Sequence, residues 1–230
     1  MTEPMLDRRN MLALAAISGA ALAAGAAADA RDAPPAAFTA KPLPFDPKGV
    51  PGLSEKLLTS HHDNNYVGAV KRLAAIEAQL AAIDPATAPV FTLNGLKREE
   101  LIAWNSMLLH EIYFAGFGAP TAPAGRLAHA IEESFGSEAR WAAEFAGMGK
   151  ALGGGSGWVI LAWSPRDKRL VNTWAADHTM TLAGGTPLLV LDMYEHAYAM
   201  DYGAKAAAYV DAYMKAIDWR RANETFAWAG

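Results

Sequence analysis

Asp192 and His196 stand in the run Pro187-Leu188-Leu189-Val190-Leu191-Asp192-Met193-Tyr194-Glu195-His196-Ala197-Tyr198. A carboxylate leaving a buried apolar strand, followed one helical turn later by an imidazole, offers two convergent ligands of the kind a transition metal takes. Two ligands do not close a site, and the chain holds only six histidines from which to draw others. It has no cysteine. Disulfides, thiolate ligands and cysteine nucleophiles are therefore excluded, and any metal must be held by nitrogen and oxygen.

These residues need a fold to position them. At 230 residues and 52% hydrophobic content, the chain has ample material for a buried core. Its formal charge of -4, with no sustained basic stripe, argues against nucleic acid as a partner and for small molecules or proteins. Residues 1–30 read as a targeting segment: Arg8-Arg9-Asn10-Met11-Leu12 precedes a weakly apolar, alanine-rich stretch through Ala28, with small residues suited to cleavage at Ala28 or Ala30. This looks like a twin-arginine export signal. It implies the twin-arginine export machinery as a partner and a periplasmic or secreted location. A membrane anchor is the competing reading, although an alanine-glycine run is a weak span.

Ser54 followed by Glu55 predicts an N-capped helix running to about Ile83, with Leu57, Leu58, Val67, Val70, Leu73, Ile76 and Leu80 at near-helical spacing. After the break at Asp84-Pro85-Ala86-Thr87-Ala88-Pro89, a second helix is expected from about Lys97 to Ala115, making an antiparallel hairpin. The segment Gly116-Phe117-Gly118-Ala119-Pro120-Thr121-Ala122-Pro123 divides the chain into a helical-hairpin domain, 31–118, and an α+β domain, 119–230. The second half reads as helices around Leu127 to Phe135 and Ser137 to Met148, then a strand from Trp158 to Trp163. Arg166-Asp167-Lys168 forms a hairpin turn, Leu170 to Ala175 and Pro187 to Leu191 are further strands, and helices follow around Tyr194 to Tyr202 and Ala206 to Ile217. The fold class is α+β: an N-terminal antiparallel helical hairpin, then a small three-stranded antiparallel sheet with flanking helices.

Within that frame, His61 lies in the first long helix and His110 late in the second. Antiparallel packing allows both imidazoles to meet Asp192 and His196 in a three-His, one-carboxylate site. By spacing alone, a buried structural histidine is the better reading of either residue. His129 has no such position and reads as a surface residue.

Leu43-Pro44-Phe45, Gly155-Ser156-Gly157-Trp158, the Asp192–Tyr198 stretch with its run-in from Pro187, and Asp218-Trp219 together resemble the iron/manganese superoxide dismutase family over the mature chain. The Asp-x-Tyr-Glu-His-Ala-Tyr stretch is close to the family's Asp-x-Trp-Glu-His-Ala-Tyr. The resemblance implies one iron or manganese ion per subunit, held by Asp192, His196, His110 and His61, with solvent as a fifth ligand. Superoxide is then the substrate, disproportionated to oxygen and hydrogen peroxide.

The first histidine admits two registers. Aligning Tyr66 with the family's active-site Tyr puts Leu58 at the ligand position. Aligning His61 with the ligand keeps Ser54 and Val70-Lys71-Arg72-Leu73 in step, and places Asn65 and Ala69 where the family carries a second His and that Tyr. The second register is preferred. His178 falls where many members place a Gln that hydrogen-bonds the metal's solvent ligand. Tyr66 offers a different phenol near the access funnel, and Trp158, Tyr113, Phe114 and Tyr194 are expected to keep the site narrow and dry. Glu195 corresponds to a residue that reaches the partner subunit's ligand histidine, so a homodimer bridged by Glu195 and His196 is implied. Ala199 and Ala206 replace a Tyr and an Arg of the family. These losses leave an alternative reading, a metal-binding relative with weak or no dismutase turnover that serves storage or another redox role. Ser106 matches neither the Gln nor the Gly that often distinguishes iron-type from manganese-type members.

Overall fold

The computed structural model describes residues 38–230; the expected export signal, 1–30, lies outside them. Ser54 caps the first helix as its spacing predicts, its hydroxyl accepting from the Leu57 N–H at 3.1 Å. The long helix is not uniform. It runs as α1 (Glu55–Ser60), a π-helical turn (His61–Tyr66) and α2 (Val67–Ala82), with the Val67 N–H bonded to the His62 carbonyl five residues back. Such a turn inserts one residue into the helical count and is enriched at functional sites. Here it carries His61.

The second helix, α3 (Val90–Ala115), begins well before Lys97. Pro89 stands at its start, where a missing N–H costs nothing, and its carbonyl accepts from Thr92 and Leu93. Val90 and Phe91 are exposed. The start of the helix therefore carries little core-facing signal, and Leu96 is where α3 first packs against the core.

Helices α4 (Gly125–Phe135) and α5 (Glu138–Ala151) follow, the latter capped by Ser137. The sheet has order β2-β1-β3, from β1 (Trp158–Ser164), β2 (Arg169–Ala175) and β3 (Thr186–Asp192), all antiparallel. Strand β1 is central and buried at every position, which is why its sequence is a continuous apolar run rather than an alternation. At Gly157, φ is +138° and a Cβ would collide with the Ala175 carbonyl, so glycine is required at the entry to this strand.

The register between β1 and β3 places Trp158 opposite Asp192 and Ile160 opposite Val190. Side chains alternate across a strand, so Asp192, Val190, Ile160 and Trp158 share one face, where Leu109 of α3 also packs. The opposite face joins the main core through Val159, Leu161, Leu189 and Leu191, together with residues of both helical regions. A register shift beside Pro187 accommodates a residue that cannot donate to the ladder.

After β3 come a 3-10 turn (Glu195–Ala197), α6 (Ala199–Tyr202), α7 (Ala206–Ala216) and α8 (Arg220–Ala229). The expected helix over Tyr194 to Tyr202 is thus two short pieces, and α8 is an addition to the sequence reading. Helix α7 has a specific task. Strand β3 is an edge strand, and its buried outward carbonyls need donors. Tyr213 and Tyr209 supply them, donating to Val190 O at 2.7 Å and to Asp192 O at 2.8 Å. Alternate strand residues are spaced about 6.7 Å and helical i, i+4 positions about 6.0 Å, so one helix face matches one strand edge.

Candidate metal centre

His61, from the π turn, His110, from α3, Asp192, ending β3, and His196, from the 3-10 turn, meet in one cluster whose potential ligand atoms all lie within 4.8 Å of one another. Asp192 Oδ2 is 3.2 Å from His61 Nε2, 3.3 Å from His196 Nε2 and 3.6 Å from His110 Nε2. Both carboxylate oxygens have distinct work. Oδ1 accepts the Tyr194 N–H at 2.8 Å, an Asx turn that redirects the chain and brings His196 back toward Oδ2. The turn is thus tighter than the α-helical one expected from the spacing.

Second contacts orient the cluster. His110 Nδ1 donates to the Ser106 carbonyl at 2.6 Å, which leaves Nε2 free on the Asp192 side. Since Tyr209 gives its proton to Asp192 O, the Tyr113 hydroxyl must donate in their 3.1 Å contact. The Tyr113 ring lies 5.0 Å from that of His61. Tyr113 is therefore a wall of the site, with its polar end anchored beneath β3. Trp158 packs edge-on to His110 at 5.2 Å and donates from Nε1 to His178 Nδ1 at 3.0 Å. An indole only donates, so this bond fixes the neutral His178 tautomer with its proton on Nε2. The rings of His178, Tyr194 and His196 are stacked, with centroids 5.0 and 5.3 Å apart.

The Tyr66 phenol, expected near the access funnel, has fixed partners. Its hydroxyl accepts from Lys41 N at 2.9 Å and donates to Glu111 Oε1 at 3.0 Å. It lines a cavity of about 600 Å³ with Lys41, Pro42, Leu108, Pro187 and Arg221. Asn65 is half-buried, Ala69 and Ala206 are buried, and Lys205 is exposed. Glu195 is exposed; its carbonyl accepts from Tyr198 N at 3.1 Å, and its carboxylate has no hydrogen-bond partner among the described residues. His129 is a surface residue facing Glu133. Tyr209, Tyr213 and the Ser106 carbonyl were absent from the sequence reading; the i, i+4 tyrosine pair beside a buried strand was the one readable sign of the first two.

The donor set fits a metal. His61 Nδ1, His61 Nε2 and His110 Nε2 are buried without a hydrogen-bond partner, an arrangement that costs free energy unless another group takes the lone pairs. Imidazole and carboxylate without thiolate suit ions such as iron and manganese. Burial lowers the His61 and His110 pKa values, His110 to about 3, so both are neutral at ordinary pH and able to coordinate. Burial pushes the Asp192 carboxyl up, but the neighbouring His196 and His61 imidazoles outweigh it and hold it well below the usual carboxylate range. His178 is also lowered, chiefly by burial.

These shifts make the stability of the metal-free protein pH-dependent. The unfolded chain protonates its histidines below about pH 6.5, whereas folded His61 and His110 resist until their lowered values are reached. Stability should therefore fall as the pH drops from 6.5, by up to about 1.4 kcal/mol per pH unit for each histidine. The contribution of Asp192 is lost lower, beneath its unfolded value of about 3.9. Urea unfolding of metal-free protein should give a lower midpoint at about pH 5.5 than at about pH 7.5, and His110→Gln should flatten that fall. A midpoint that rises on acidification would contradict buried neutral imidazoles.

The model for the C-terminal domain of iron/manganese superoxide dismutases matches residues 123–225. The chain is 67% identical over 190 residues to a superoxide dismutase [Fe] of Cupriavidus metallidurans, covering 83% of this chain and 96% of that relative. It is 32% identical over 197 residues to a superoxide dismutase [Mn] of Haloarcula marismortui, covering 80% and 91%. A superoxide dismutase [Fe] of Aquifex pyrophilus is 33% identical over 188 residues, covering 78% and 87%. With that coverage on both sides and a buried cluster of three histidines and an aspartate, the chain belongs to the iron/manganese superoxide dismutase family.

Proposed function

We propose that the chain is a superoxide dismutase, with one iron or manganese ion per subunit held by His61, His110, Asp192 and His196. The observation that carries this reading is the convergence of those four side chains in the core, with the Nε2 atoms of His61 and His110 unpartnered, in a chain of this family. When bound, the ion would supply the one-electron couple by which two superoxides and two protons become oxygen and hydrogen peroxide. The protein's own part is to orient and to dry the site. Trp158, Tyr113 and Phe114, all buried, wall the histidines and exclude bulk water. His178, with its tautomer set by Trp158, keeps Nε2–H as its free donor, and its ring lies 6.3 Å from that of His110.

The homodimer bridge is part of the same reading. His196 has 28% of its side chain exposed and the adjacent Glu195 carboxylate has no partner among the described residues, so in a dimer Glu195 can make a charge-assisted bond to the partner's histidine. The substrate pool is extracytoplasmic, because Arg8-Arg9 and the following alanine-rich stretch read as an export signal.

Superoxide decay measured on protein of known metal content should show turnover proportional to bound iron or manganese. His61→Ala and Asp192→Asn should lose both metal and activity. His178→Ala should keep its metal but lose about tenfold or more in turnover. Metal-replete protein without turnover would instead favour a binding or storage role. Sedimentation should give a dimer at micromolar concentration, weakened by Glu195→Ala; a metal-loaded monomer would remove the bridge. Cell fractionation should find the protein exported, with Arg8→Lys/Arg9→Lys retained inside; export unaffected by that double substitution would contradict a twin-arginine signal.

A further inference from the structure

We propose that Asn105 is a positioning residue for His178, acting by tethering the β2–β3 loop through the His178 backbone. The dismutase reading enters only in what His178 does once it is held. Residues 176–185 join β2 to β3 without regular structure. The loop is tied within itself: Asp177 Oδ1 accepts from Thr179 N at 2.7 Å and Thr179 Oγ1 at 2.6 Å, and Gly185 N donates to Leu182 O at 2.9 Å. Met180 and Leu182 are exposed. Apolar burial of those side chains therefore does little to hold the loop in place.

Among the described residues, the two hydrogen bonds that tie this loop to other elements both end on His178. Asn105 Nδ2 donates to the His178 carbonyl at 2.6 Å, and Trp158 Nε1 donates to its ring at 3.0 Å. The carbonyl only accepts, so the Asn105 amide must present its nitrogen there. Helix α3 thus fixes the backbone while β1 fixes the ring. Asn105 precedes Ser106, whose carbonyl orients His110, so a single helical turn sets both the cluster histidine and the loop that faces it. Asn105 itself bonds none of the four cluster residues. Removing its donor leaves the His178 carbonyl unpaired and the loop held only through the His178 ring, by the indole bond and the stack on Tyr194.

Two measurements on wild type, Asn105→Ala and the equal-sized non-donor Asn105→Asp test this. Amide hydrogen exchange over 176–185 should rise about five- to tenfold in both variants, in metal-free and metal-loaded protein alike, with β1 and the rest of α3 unchanged. In a double-mutant cycle, Asn105→Ala should lower kcat about fivefold when His178 is present and less than about twofold in a His178→Ala background. Unchanged loop exchange, or an equal loss of kcat in both backgrounds, would overturn the proposal. The exchange measurement does not depend on turnover, so an inactive wild type would refute the dismutase reading while the tether was still decided.

Discussion

Everything in this structure answers to one buried charge. Asp192 is fully buried at the end of β3, where an uncompensated carboxylate would cost several kcal/mol or more. Among the described residues, no Lys or Arg pairs with it; its oxygens face three imidazoles and one backbone N–H. Two of those imidazoles are held neutral by their own burial, so the protein alone leaves the negative charge only partly balanced. A cation among the four side chains resolves this, and it also takes the lone pairs that have no other partner.

The surrounding fold keeps that carboxylate still. The β1–β3 register sets it opposite Trp158, Tyr209 holds its carbonyl, and the Asx turn holds its Oδ1. The histidines are brought in from three different elements. Helix α3 brings His110 already oriented by Ser106, the π turn brings His61, and the 3-10 turn returns His196 to the residue that began the turn. Trp158 belongs to both circles, since it faces Asp192 across the sheet, packs on His110 and sets the His178 tautomer.

Much of this was legible in the sequence. The apolar run of β1, the Arg166–Lys168 turn and the Ser54 cap are local signals, and the structure places each as its pattern implies; Asp192 and His196 also converge, though through a tighter turn than the helical one expected. Other features had no local signal. A π turn in His61–Tyr66 looks like helix to any periodicity argument, yet it changes the count along the chain, so an ungapped comparison says little about where Asn65, Tyr66 and Ala69 project. Tyr66 has a hydroxyl committed to Lys41 and Glu111, which are 25 and 45 residues away. Partners that distant cannot be read from spacing. Asn105 was invisible for the same reason, because its significance lies in a carbonyl 73 residues further along.

One ion held by four side chains is decided by anomalous diffraction from crystals of metal-loaded protein, recorded at the iron and manganese edges. A single strong peak per chain is expected, within bonding distance of His61, His110, Asp192 and His196 together. A peak elsewhere, such as beside His62 and Asp63, or full metal loading that leaves one of the four uncoordinated, would contradict it.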